Sequence, residues 1–344
     1  MQAAVPTSNP RTPSGARRRV GWTVAAVAAL LLAALLSLAV GSRPVAPSQV
    51  LHALLHDGDD PATTIVRSMR LPRTVVGLMV GAALAMAGTV MQGITRNPIA
   101  EPGILGVGQG AALGVVLAIT VVGTHGPGGY VWFAFAGAAL ASVAVYAIAS
   151  RGRGGASPIK LALAGAALNA LITSVVNGVL TTHAATLDEF RFWQIGSIAG
   201  PGAGTAWKIW PFLLAGTVLV LSVARGLDAL ALGEDVARGL GQNVGLVRIV
   251  GGVGATVLTG VGVAAAGPIV FLGLAVPHLA RALVGTDHRW VLPMAALLGP
   301  VMLLGADVLG RVLYEGGEVP SGVMTALIGL PFLVTLVRRK AVAA

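Results

Sequence analysis

Asn169, Thr173, Asn177 and Thr181 recur at every fourth position of an otherwise apolar stretch, so on a helix they form one polar stripe. Such a stripe lines a water-filled path, or it hydrogen-bonds to a neighbouring helix; a path is the stronger reading. Arg70 and Arg73 lie three apart in Met69-Arg70-Leu71-Pro72-Arg73, with Pro72 in a favoured helix-starting position. Their planar guanidinium forks suit lipid phosphates or the carboxylates of a docking protein. Glu234 and Asp235 stand where a short helix would begin, favourable for its positive dipole end. Gly239 and Gly241 would stop it. Catalytic patterns are scarce. Lys160, Lys208 and Lys340 all lack the Gly-x-x-x-x-Gly-Lys-Ser/Thr context of a phosphate loop, so no Walker-type ATP hydrolysis is expected and no cofactor is called for. His278 and His288 have no metal-ligand partner at helical spacing and read as structural.

The elements that must carry these residues are membrane helices. Of the 344 residues, 55% are hydrophobic and only 10% charged, against about 25% charged in a soluble domain. About 20 apolar residues cross a bilayer as a helix. Ten stretches qualify: 20–40, 72–93, 103–122, 129–149, 159–181, 207–224, 246–266, 269–284, 291–312 and 321–337. The 48 glycines suit close helix contact; Gly77 and Gly81 in the second stretch, and Gly106, Gly110 and Gly114 in the third, read as packing positions. There are no cysteines, hence no disulfide and no thiol chemistry.

The net charge of +10 reads as topogenic charge on cytoplasmic loops rather than as a nucleic-acid footprint. With ten alternating spans and a cytoplasmic N-terminus, most of the 23 Lys and Arg residues fall inside, including Arg17–Arg19, Arg153 and Arg338–Lys340. Both termini are therefore expected in the cytoplasm. Residues 1–19, polar and then Arg-rich, read as a disordered cytoplasmic tail; 20–340 form a single transmembrane domain. The run after Arg19 is too long for a signal-peptide core and reads as a retained first helix. The exterior loop from Thr182 to Ala206 has room for a surface helix, and 225–245 is the largest interior loop. Asn97-Pro98-Ile99-Ala100 and Gly267-Pro268-Ile269-Val270, each before a Gly/Leu-rich helix start, suggest an inverted repeat of the kind common in transporters.

Taken in order, these motifs resemble the FecCD-type permeases, the membrane subunits of ABC importers for iron-siderophores, haem and vitamin B12. The resemblance runs through Leu71-Pro72-Arg73, Met91-Gln92, Asn97-Pro98-Ile99-Ala100-Glu101-Pro102-Gly103, Leu232-Gly233-Glu234, Gly267-Pro268-Ile269-Val270, Pro277-His278, Ala306-Asp307 and Glu318-Val319-Pro320-Ser321-Gly322. It implies an all-α, polytopic type II ABC importer permease fold with about ten transmembrane helices in the bacterial cytoplasmic membrane. It also implies a second permease subunit, identical or closely related, with the path along their interface. Two cytoplasmic ATPase subunits would bind the ATP, and an extracytoplasmic binding protein would deliver the metal chelate. Residue by residue, Arg70, Arg73 and Arg311 would dock the binding protein. Gly233, Glu234, Asp235, Ala237, Gly239 and Gly241 would belong to the helix seated on the ATPase. Asn97 and Ile99 would lie near the cytoplasmic gate, and Asn169, Thr173 and Asn177 would face the path.

Two other classes compete. An ion-coupled secondary transporter should carry intramembrane carboxylates, yet Asp307 is the only acidic residue within an expected span, one turn from Arg311. A membrane-embedded enzyme would need a catalytic constellation at membrane depth, and none is visible.

Overall fold

Ten apolar helices account for the ten stretches, and their ends alternate between two faces. The computed structural model describes residues 14–342 apart from 42, 57, 59, 125, 152–156 and 315–316. The tail segment 1–13 and Arg153 lie outside the described residues. Span 1 is Ser14–Ala39, span 2 Pro61–Thr95 and span 3 Val107–Val122. Span 4 is Pro127–Ala149, span 5 Pro158–Thr182 and span 6 Ala203–Ser222. Span 7 is Val244–Ala266, span 8 Leu272–Val284, span 9 His288–Val312 and span 10 Ser321–Val342. Among the described residues every regular element is helical. Seven of the ten are long and apolar enough to cross a bilayer; spans 3 and 8 and the Ser321–Pro331 part of span 10 are shorter apolar helices.

Residues 14–19 are helical rather than part of a disordered tail: span 1 begins at Ser14, and Arg19 Nε donates to the Val284 carbonyl at 3.0 Å. Span 2 also begins earlier than expected. It starts at Pro61, capped by the Asp60 carboxylate accepting from Thr63 N at 3.0 Å, and passes through a wide π-helical turn, Ile65–Arg70. Pro72 stands in the first turn of the α-helical part, Leu71–Thr95, as expected, and the π turn continues the span upstream of it. The π turn shifts the hydrogen-bond ladder ahead of it, where proline's missing N–H would otherwise break the register.

Spans 2, 7 and 9 form the centre, with 78%, 67% and 61% of their most apolar windows buried. Lipid gives no hydrophobic drive to bring helices together, so small residues set the contacts. A Cβ on Gly299 of span 9 would lie 2.1 Å from the Gly81 carbonyl of span 2, and one on Gly137 of span 4 would lie 2.1 Å from the Gly110 carbonyl of span 3. No side chain fits at either contact. Span 8 is 13 residues, about 20 Å at 1.5 Å per residue, against about 30 Å of hydrocarbon. Non-helical backbone makes up the difference, at 267–271 before span 8 and at 97–101 before span 3. Such backbone is tolerated at depth only when protein covers it. Here Ser197 N donates to the Ala266 carbonyl at 2.7 Å, and His278 Nε2 meets the Pro98 carbonyl at 2.8 Å.

Short helices decorate both faces: Pro47–Leu55 and Ala184–Ile195 on one, Ala224–Ala231 and Glu234–Gly239 on the other. The second and fourth match the expected surface helices; the other two gave no signal against their polar surroundings.

Candidate functional site

Three groups of residues matter, one at each face and one between them.

On the face that carries the C-terminal end of span 1, Arg73, Asp307, Arg311 and Glu318 interlock, and Arg70 is bonded to the end of span 1. Arg70 is buried. Its Nη1 donates to the Leu38 and Ala39 carbonyls, both at 2.8 Å, and its Nη2 to the Arg43 carbonyl. It thus takes up carbonyls that the end of a helix leaves without partners. Arg311 is buried too, donating to the Ser37 carbonyl at 2.7 Å and pairing with Asp307. Asp307 is completely buried and also receives Arg73 through Nε at 3.0 Å and Nη2 at 2.7 Å. Arg73 Nη1 then reaches Glu318 at 2.7 Å, the exposed edge of the cluster. Asp307 therefore stands between two guanidinium groups, which makes its burial tolerable.

Of the three arginines expected to dock a binding protein, Arg70 and Arg311 are buried in this subunit and bonded to span 1 and to Asp307. Only Arg73, with Glu318, reaches the rim. Spacing alone revealed the Asp307–Arg311 neighbours on one helix turn; the partnership with Arg73, 234 residues away, had no local signal.

On the opposite face, the helix Glu234–Gly239 follows Gly233, whose φ of +113° favours glycine. Arg238 pairs with Glu234 and Asp235, each at 3.2 Å. Glu234 also pairs with Arg248 of span 7. That hydrogen bond holds the Glu234 carboxyl below the usual glutamate range, against the opposing pull of partial burial. Ala237 is fully buried and anchors the helix, while Leu232, Val236 and Leu240 are 65%, 49% and 62% exposed. Val236 lies on the helix, Leu240 caps it and Leu232 stands just before Gly233, so the exposed side chains give this loop an apolar outer ridge. Ala237 thus faces the protein, and the outer side of the loop is formed by Leu232, Val236 and Leu240. Just before this helix, Asp228 accepts from the His288 backbone at 2.9 Å and meets His288 Nδ1 at 2.6 Å. The loop is therefore tied to span 7 through Glu234 and to the start of span 9 through Asp228.

Beside this face runs the segment from Arg96 to Gly106. Asn97 Oδ1 accepts from Ile99 N at 3.1 Å, closing a tight turn, and Ile99 is 52% exposed. Underneath, Gln92 donates to the Gly273 and Leu274 carbonyls at 3.3 Å, and Arg281 grips Gln92 Oε1 at 2.9 and 2.7 Å. Asn169 joins the segment from span 5, donating to the Gly103 carbonyl at 3.3 Å. Its Oδ1 is buried without a partner. Thr173 and Asn177, one and two turns further along, are exposed. The stripe thus begins at the Asn97–Gly103 segment and continues along an open face of the subunit.

Comparison with known proteins places the chain among transport permeases. The pattern of the FecCD transport family matches residues 29–339. The ferric enterobactin transport system permease protein FepD of Escherichia coli is 43% identical over 90% of this chain and 93% of its own length. The iron(3+)-hydroxamate import system permease protein FhuB of Bacillus subtilis is 40% identical over 92% and 83%. A solved ABC transporter assigned to the metal-chelate type, in an inward-facing conformation, superposes with a TM-score of 0.79 at 30% identity, over 93% of this chain and 99% of that one.

Proposed function

Since the chain belongs to the FecCD transport family of ABC permease subunits, we propose that it is the membrane-spanning subunit of an importer for iron(III)-siderophore-type chelates. It is a multi-pass transport component and not an enzyme; the energy would come from two cytoplasmic ATPase subunits. Support for the cargo class comes from relatives named for enterobactin and hydroxamate transport. Relatives named for hemin and cobalamin, each 38% identical, make haem or vitamin B12 the second reading.

The observation that carries the mechanism is the exposed apolar ridge Leu232, Val236 and Leu240 on a loop fastened to two spans, through Glu234 of one short helix and Asp228 of the other. An ATPase seated on that ridge would move spans 7 and 9 through Glu234–Arg248 and Asp228–His288. ATP binding would then reorient two permease subunits about a shared path, with each state favoured by its own contacts. In this reading both termini are cytoplasmic, the Asn97–Ile99 turn lies at the cytoplasmic gate, and Thr173 and Asn177 face the path in the bacterial cytoplasmic membrane. A binding protein would deliver the chelate at the rim formed by Arg73 and Glu318.

The test is uptake of radioactive ferric siderophore by vesicles holding the permease, its ATPase and its binding protein. Val236→Asp should abolish uptake while the permease still reaches the membrane, because Val236 is exposed and its change leaves the core intact. Full uptake with Asp at 236 would remove the ridge from the mechanism.

A further inference from the structure

A cavity of about 350 Å³ opens on the flank of the subunit between spans 4 and 7. Its walls include Leu105, Val143, Ile249, Val253 and Val257, and Val143, Ile249 and Val253 are exposed at its mouth. A long apolar crevice on a membrane-facing flank takes something apolar from the bilayer. Along span 7 it runs from Arg248 to Val257, about 14 Å at 1.5 Å per residue. That is close to half of the about 30 Å hydrocarbon thickness, the depth of one leaflet.

The deep end of this crevice is apolar, and its rim on the Glu234–Gly239 side is cationic. Arg248 lines it there, one turn into span 7, with Tyr146 opposite, near the end of span 4. Arg248 Nη2 is engaged by Glu234 and its Nε is buried with no hydrogen-bond partner, so one carboxylate leaves the guanidinium incompletely satisfied while 14% of the side chain stays exposed beside the crevice. An orphaned donor on a charged group is costly, and such a group calls for an anion.

We propose that the crevice is a binding site for one anionic phospholipid: an acyl chain between spans 4 and 7, and the phosphate against the accessible edge of the Arg248 guanidinium. One guanidinium would then hold the lipid and Glu234 of the short helix together, so occupancy would steady the fastening of that helix to span 7. The anionic lipids of the cytoplasmic leaflet match the sign and the side. The inference requires a bilayer-embedded chain with the Glu234–Gly239 helix on the cytoplasmic side; it does not depend on the cargo.

Gly252 lines the crevice, and a Cβ there meets nothing within 4 Å, so Gly252→Leu fills the space from within. The full chain, purified in mild detergent, is incubated with phosphatidylglycerol or with phosphatidylcholine of the same acyl chains and weighed intact. Wild type and Gly252→Ala should each retain one phosphatidylglycerol, at least fivefold more than phosphatidylcholine. Gly252→Leu should lose that adduct, and Arg248→Gln should lose the preference for the anionic lipid. Equal retention by Gly252→Leu and wild type, or of both lipids by wild type, overturns the proposal. Imaging of the unaltered protein with bromine-labelled phosphatidylglycerol decides independently: bromine between spans 4 and 7 supports it, and bromine only elsewhere refutes it.

Discussion

Asp307 carries a negative charge completely away from solvent, and its neighbours explain how that is tolerated. Arg73 covers both carboxylate oxygens and Arg311 takes one of them from the next helical turn. Removing one member of a buried ion group costs about 3–5 kcal/mol, because the remaining charge is left uncompensated. Asp307→Asn should therefore lower the stability of the detergent-purified chain by about that amount, read as a large drop in its unfolding temperature. Glu318 also pairs with Arg73, but its side chain is 37% exposed. Exposed pairs contribute about 0–1 kcal/mol, so Glu318→Gln should move the transition little. Equal losses would mean that Asp307 is not the hub of the cluster. Arg70→Glu should resemble Asp307→Asn, since it turns donors to the Leu38 and Ala39 carbonyls into a buried negative charge. Any loss of uptake in that variant would then reflect folding before docking.

At the level of elements, the short helices decide how the molecule is driven. The loop before span 7 is held to the bundle by Asp228 on the first residue of span 9. If that tie transmits motion, Asp228→Ala should cut ATP-driven uptake at least tenfold while the ATPase continues to hydrolyse. Parallel loss of both would indicate failed assembly, and retention of both would free the tie from any role. The second tie should be insensitive to physiological pH. Glu234 has a folded pKa lowered by Arg248, so its contribution is complete above the unfolded value of about 4.3. It is lost only as pH falls through the lower folded value. Uptake between about pH 6 and 8 should show no step that Glu234→Gln removes. Much of this level was readable beforehand. The acidic start and glycine stop of Glu234–Gly239 mark its ends locally, and the ten apolar stretches announce the spans to within a few residues. What could not be read depends on distance or on a break in pattern. The Pro61–Arg70 extension lies behind a π turn and a proline that looks like a helix start. The inward aim of Arg70 and Arg311 depends on span 1, far away in sequence.

For the whole molecule, the open question is what lies against span 5. Only 28% of its most apolar window is buried within the subunit, and its exposed face carries Thr173, Ser174, Asn177 and Thr181. Polar groups facing lipid are costly, and in membrane helices they turn toward partners or water. Asn169 marks one end of that face, with one hydrogen bond to Gly103 and one buried oxygen unsatisfied. A second permease subunit placed opposite would enclose the stripe and form a path ending at the Asn97–Gly103 segment. The chain contains no cysteine, so single Cys residues at 173 and 177 report without background. In the assembled transporter, Thr173→Cys and Asn177→Cys should react with a membrane-impermeant thiol reagent applied from outside in one nucleotide state and be protected from it in another. A bifunctional reagent should join Thr173→Cys to its counterpart and double the mass of the chain on a denaturing gel. Protection in every state together with no cross-link would place the stripe against lipid or a fixed packing partner, and the path would have to be sought along another face.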